Sequence, residues 1–251
     1  MTGNDKARTL KQHVWSMLRR VTTKSNFNQR IAFLHIPKTA GTSLNKIIEL
    51  NCPTQYCYQY YPPHLVTTPP EIKLGCGVLS GHFVYGYANK FFDQYDHITF
   101  LRDPLERVIS HLHWTKRYHL DPSQITKTEY TNWFENNPDP FEFIAYSKQW
   151  YFDNATVRML AGVSPTLPFG SITQDHYLQA QRNLQKFNFV GFQKTFAQDL
   201  KQLCKQYKWL YFQIRRNTDR HHSTVNAHRA AQISDQNKWD IALYEFALNR
   251  Q

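Results

Sequence analysis

From residue 31 the chain runs IAFLHI, breaks into a small polar loop, KTAGTS, and then resumes apolar residues at helical spacing to about Leu50. A short unbroken apolar run bounded by turn residues reads as a buried strand, so this stretch predicts a strand, a loop and a helix from about Ser43 to Leu50. The pattern recurs downstream. CGVLSGH at 76–82 predicts a second strand running into a loop at Gly81, HITFLRD at 97–103 a third and FNFVGF at 187–192 a fourth. The third strand leads into a helix start: Asp103 as cap, Pro104 at the first helical position and Glu106 three residues after the cap to complete a capping box. Leu105, Val108, Ile109 and Leu112 then form that helix's apolar stripe. Further helices are predicted at 139–148, 154–161, 173–186, 196–209 and about 234–249, while 51–72, rich in Pro and Tyr, reads as irregular. Near the start, Leu10, Val14, Met17, Leu18 and Val21 predict a basic amphipathic helix over 8–21. Packing on the body is its first reading and peripheral membrane contact its second.

Strands alternating with helices place the chain in the α/β class. The expected architecture is a single domain over 31–251 with a mostly parallel central sheet flanked by helices, preceded by a basic amphipathic segment over 1–30. In such sheets ligands collect outside the carboxyl ends of the strands. Three features meet there: the loop after the first strand, His82 after the second and Arg102 at the end of the third.

Loop 38–43 opens a helix, so its N–H groups and the positive end of the helix dipole face whatever lies in the turn. Gly41 permits close backbone approach, Thr39, Thr42 and Ser43 carry hydroxyls, and Lys38 adds a full charge. This suits a tetrahedral anion; an ordinary polar strand-to-helix turn is the alternative. Arg102 with Ser110, two helical turns into the next element, suits a second phosphate. Against that, Arg102 could pair with Asp103 or Glu106 and leave Ser110 a surface serine. Two anion sites imply a bisphosphorylated ligand. The nucleotide loop G-x-x-x-x-G-K-[ST] nevertheless has its lysine after the second glycine, whereas Lys38 precedes the loop's only glycine.

Composition narrows the picture further. The 251 residues, 41% hydrophobic and 15% aromatic with 9 Gly and 12 Pro, are those of a folded globule rather than a low-complexity chain. No apolar window approaches a membrane span. The net charge of +11 is banded: seven Lys/Arg against Asp5 in 1–30, and ten against Asp199 and Asp219 in 181–229. Such bands imply anionic partners, but no zinc-finger, RNP-like or helix-turn-helix signature accompanies them, so nucleic acid is not expected. Cys52, Cys57, Cys76 and Cys204 follow no zinc or disulfide spacing and read as thiols in a reducing compartment, with a Cys52–Cys57 disulfide as the alternative.

HIPKTAGTSL, SGHFVYG and FLRDPLERVISHLHW, in that order, resemble the 5′-phosphosulfate loop, catalytic-histidine segment and 3′-phosphate segment of sulfotransferases that use 3′-phosphoadenosine 5′-phosphosulfate (PAPS). The branch resembled includes heparan sulfate 2-O-sulfotransferase, and the likeness continues through QAQRNLQKFNFVGF and ALYEFAL. It implies a P-loop-like sulfotransferase fold and explains the displaced lysine, because the family transfers a sulfuryl rather than a phosphoryl group. It further implies that Lys38 contacts the leaving phosphate and that Thr39, Ala40, Gly41, Thr42 and Ser43 cradle the 5′-phosphosulfate. Arg102 and Ser110 would hold the 3′-phosphate, and His82 would take the proton from an acceptor hydroxyl, that of a carbohydrate; some branches use a glutamate there. PAPS is then the cosubstrate and no metal is required, since the positive groups belong to the protein. Arg215, Arg216 and Arg220 lie in a basic loop that could close over the nucleotide. Animal members resembling the chain are Golgi membrane proteins. Lacking their anchor, this chain is expected in the cytoplasm, with the Golgi lumen as the alternative for a piece of a longer protein. The competing functional reading is a non-catalytic module on the same fold that captures an anion or a polysaccharide. A nucleotide kinase is disfavoured by the lysine position and the lack of a magnesium-holding set.

Overall fold

Along the first strand, β1 (Ile31–Leu34), side chains alternate between two cores, as the period of a pleated strand requires. Ile31 and Phe33 pack among Leu44, Ile47, Ile48, Leu200 and Leu203, whereas Ala32 and Leu34 pack among Val157, Leu160, Leu184 and Leu243. A strand apolar on both faces must lie between two helical layers. The computed structural model describes residues 29–52, 57–60, 77–90, 93–121, 123, 128–164, 166–212 and 225–250. The expected helix at 8–21, Cys76 and the loop holding Arg215, Arg216 and Arg220 lie outside them.

The other strands are β2 (Cys57–Tyr60), β3 (Val78–Gly81), β4 (Asp96–Leu101) and β5 (Phe189–Phe192). With β1 they form one five-stranded sheet in the order β2-β3-β1-β4-β5, and every pairing is parallel. Helices α1 (Gly41–Asn51) and α7 (Phe196–Tyr207) cover one face. The other is covered by α5 (Ala155–Ala161), α6 (Gln174–Leu184) and α9 (Lys238–Leu248). A third cluster, around Val108, Leu112, Phe134, Phe143 and Phe152, joins α2 (Pro104–His119) to α3 (Glu129–Asn136) and α4 (Glu142–Ser147). The single α/β domain with a parallel sheet matches the architecture expected from sequence. Among the described residues no helix is long and apolar enough to cross a membrane.

Several details differ from the sequence reading. β2 lies in the stretch read as irregular. The closing helix is two, α8 (Ala227–Gln236) and α9, because Asn237 at the break turns its side-chain amide to the carbonyls of Phe152 and Ile233. Asp103 does cap α2, accepting from the Glu106 N–H at 3.0 Å, but no capping box closes, because the Glu106 carboxylate is drawn to Arg102. Cys52 is buried at the end of α1, and the Cys52–Cys57 alternative falls on a side chain, that of Cys57, outside those described.

Two buried arginines hold the helical layer together. Arg158 donates to the carbonyls of Asp153, Leu167 and Pro168 and pairs with the Asp153 carboxylate, fixing the chain that follows α5. Arg107 lies 3.6 Å from Asp240, whose oxygens also accept from the N–H groups of Thr156 and Val157 at the start of α5. Asn154 ties the same corner to α8 and α9, donating to the Gln236 carbonyl and accepting from the Trp239 and Asp240 N–H groups.

Candidate active site

The sheet order makes β1 central, with β3 on one side and β4 on the other, so the chain leaves β1 in one direction and later returns on its opposite flank. Such a reversal opens a crevice at the carboxyl ends of the strands. All three sequence-predicted elements open onto these adjacent ends: loop 38–43 after β1, His82 directly after β3 and Arg102 directly after β4.

The loop is built under strain. Lys38 and Ala40 both adopt left-handed backbone conformations, with φ of 70° and 72°. Each costs a non-glycine residue roughly 1–2 kcal/mol, a cost that the surrounding structure must offset. The Thr39 hydroxyl, fully buried, donates to the Ile36 carbonyl at 2.8 Å, so it braces the turn rather than facing a ligand. Thr42 is exposed and Ser43 buried. Ala40, the N-cap of α1, offers no side-chain acceptor to the first turn. A turn of alternating backbone hand followed by a helix N-terminus forms a concavity of N–H groups suited to an anion.

Gly41 has a role that the sequence did not disclose. A Cβ placed there would lie 1.9 Å from both Cδ2 and Nε2 of His35, so the absent side chain makes room for an imidazole. His35 is 6% exposed, stacks on Phe33 at 5.3 Å and meets the His82 ring at 4.5 Å. Its N–H bonds the Gly81 carbonyl at 2.9 Å, and its own carbonyl lies 2.5 Å from His82 Nδ1. A carbonyl only accepts, so Nδ1 carries the proton and Nε2 the lone pair of a neutral His82. Burial pulls His82 down to about 4, against the upward pull of that carbonyl, and keeps it neutral near pH 7. His35 is also held well below its usual range, by burial first and then by His82 and Lys38.

Arg102 links the loop after β1 to the start of α2. Its Nη1 donates to the Lys38 carbonyl at 3.3 Å, and its Nε reaches the Glu106 carboxylate at 3.3 Å. The pairing weighed from sequence is therefore present, but Glu106 is 59% exposed, and exposed pairs of this kind contribute at most about 1 kcal/mol. An anion can displace it. Ser110, half-buried, follows Glu106 by four residues and so shares its face of α2.

Sequence reasoning passed over three further residues. His111, 4% exposed, has a buried Nδ1 without a hydrogen-bond partner and stacks on Tyr151 at 4.6 Å. Burial, then the charges of Arg107, Lys38 and His82, hold it well below its ordinary value. Trp114, 43% exposed, has Lys38 Nζ 5.9 Å from its ring centroid. Nothing in the spacing of α2 brings Tyr151 to position 111 or Lys38 to position 114. Among the described residues no three His, Cys, Asp or Glu side chains are placed to hold a metal ion.

Residues 22–246 match the Sulfotransferase family. The chain belongs to the sulfotransferase family. The crystal structure of mouse sulfotransferase SULT7A1 complexed with PAP is similar at 15% identity and a TM-score of 0.38, over 85% of this chain and 65% of that one, so the chain spans just under two thirds of that protein's length. No curated protein matches the chain by sequence. In the sulfotransferase residues 22–246, the loop at 38–43, His82, Arg102 and Ser110 all fall within the matched span.

Proposed function

We propose that this protein moves the sulfuryl group of PAPS to an acceptor hydroxyl, that of a carbohydrate, by in-line attack with His82 as general base. The observation that carries the reading is His82 itself: Nδ1 is committed to the His35 carbonyl, which leaves Nε2 as the basic nitrogen, one strand away from an anion loop. A module that only captured anions would have no use for an oriented neutral imidazole there.

The residues divide the step between them. Loop 38–43 and Lys38 hold the phosphosulfate, while Arg102 and Ser110 hold the 3′-phosphate. As the acceptor oxygen bonds to sulfur, its proton passes to His82 Nε2 and the bond from sulfur to the bridging oxygen breaks. The charge left on 3′,5′-ADP is met by Lys38 and the N-terminus of α1. A base at about 4 has little pull on a hydroxyl, but a bound polyanion raises a nearby histidine, so cosubstrate binding itself strengthens the base.

Calorimetric titration with 3′,5′-ADP against 5′-AMP tests the pocket. Strong preference for the bisphosphate is expected. Equal binding of the two would remove the 3′-phosphate site and move the non-catalytic module to the front. Mass spectrometry of acceptors incubated with PAPS then tests transfer through retained sulfur.

A further inference from the structure

The passed-over rings form a continuous series. Trp150 and Tyr151 lie 3.9 Å apart, Tyr151 stacks on His111, His111 meets Trp114 at 5.6 Å, and Trp114 stacks on Tyr118 at 5.4 Å with their planes 19° apart. The buried end anchors the exposed end. Trp114 and Tyr118 are 43% and 46% exposed, side by side on one face of α2 at i and i+4. Large rings left this open forgo burial that a helix surface ordinarily supplies, and a flat stacked pair fits a ligand with a flat apolar face.

Position supplies the rest. In the proposed reaction the acceptor hydroxyl must reach a sulfur atom whose leaving oxygen is held by Lys38. The acceptor ring therefore lies about one ring's width from Lys38 Nζ, and Trp114 is there at 5.9 Å. The charges of Lys38 and His82 both act on His111, inside the same series. Tyr118 stands one helical turn further on, offering a second ring to the next unit of a chain. Arg117, three residues after Trp114, shares this face by spacing and brings a positive charge to its edge.

We propose that Trp114 and Tyr118 form the acceptor platform, the exposed rims and outer faces of the stacked pair packing against a saccharide chain so that one of its hydroxyls is presented to the phosphosulfate loop. The inference rests on the sulfuryl-transfer reading and is tested separately from it. The full chain is titrated, with and without 3′,5′-ADP, with an unsulfated hexuronate–hexosamine hexasaccharide, a neutral glucan hexasaccharide and a simple phenol, following tryptophan fluorescence and heat. The parent should bind a saccharide in preference to the phenol. Trp114→Ala should weaken that binding at least about tenfold, Trp114→Phe by much less, and neither should change 3′,5′-ADP affinity. With PAPS, the acceptor KM should rise while the PAPS KM stays constant. Thermal melting of each variant establishes that it is folded, as expected for residues this exposed. Undiminished saccharide binding by Trp114→Ala, preference for the phenol, or a loss of 3′,5′-ADP affinity that assigns the ring to the nucleotide would each overturn the platform. Failure of 3′,5′-ADP to bind the parent would instead overturn the transfer reading, and the saccharide titration without nucleotide would still decide the platform.

Discussion

Gly41→Ala is the substitution for which the structure supplies the most direct magnitude. The new Cβ would sit 1.9 Å from two atoms of the His35 ring and 2.5 Å from a third, against the roughly 3.5–4.0 Å of an ordinary contact. One side must therefore move by about 1.5–2 Å. The ring has little room to retreat, because Phe33 stacks on it and His82 leans against it. Overpacking of this severity costs about 1–3 kcal/mol or more. The same displacement disturbs the carbonyl that fixes the His82 tautomer, so kcat should fall along with stability. Urea denaturation of the parent, Gly41→Ala, His35→Ala and the double variant isolates the effect: the second substitution removes the obstruction, so the cycle should show at least about 1 kcal/mol of favourable coupling. Gly41→Ala within about 0.5 kcal/mol of the parent, or a cycle additive within that margin, would refute the packing assigned to Gly41.

Other consequences follow from the same site. His82→Ala should lower kcat by on the order of 100-fold or more while leaving 3′,5′-ADP affinity intact; an unchanged kcat would remove His82 from the mechanism. Arg102→Ala should weaken 3′,5′-ADP by about 1.5–3 kcal/mol and abolish the preference over 5′-AMP, whereas Glu106→Gln, which removes the competing carboxylate, should leave binding equal or tighter; calorimetry reads both. Acid should destabilise the fold. His35, His82 and His111 are all held below the usual 6.5, so below that pH the unfolded chain takes up protons that the folded one refuses. Stability is therefore full above about 6.5 and falls with pH toward 4, each such histidine adding a slope of about 1.4 kcal/mol per pH unit in that window. Urea midpoints that do not change from pH 7 to pH 5 would contradict this burial.

What could be read in the sequence was what depends on local pattern. β1, β3, β4 and β5 are short apolar runs between turn residues, and α2 begins with an Asp-Pro cap, so each declares itself within a few positions. β2 does not. Among the described residues CYQY pairs with β3 alone, at the end of the strand order, and needs no two-sided apolar run to do so. The break between α8 and α9 was hidden for a different reason: Asn237 interrupts no apolar periodicity, and its significance lies in carbonyls 85 and 4 residues away. The helical spacing at 154–161 is equally silent about Arg158 and Asn154, which satisfy buried carbonyls and a helix start that no spacing rule connects to them.

The site shows the same division more sharply. His82 and Arg102 directly follow strands, Lys38 lies in the loop after β1 and Ser110 two turns into the helix after β4, so the topology carries all four toward one edge of the sheet. Their chemistry is set by residues with no such address. Position 41 read as a glycine for close approach by an anion, yet the group that approaches is His35, six residues back and on the strand side of the turn. The tautomer of His82 is decided by a backbone carbonyl 47 residues away. Lys38 and Ala40 are residue types that avoid the left-handed region, so a propensity argument would place them elsewhere, and only a packed neighbourhood keeps them there. A turn strained in this way is already shaped before any ligand arrives. Relaxing it with Ala40→Gly would remove backbone strain, and would reveal whether the loop's value lies in stability or in being held ready for an anion.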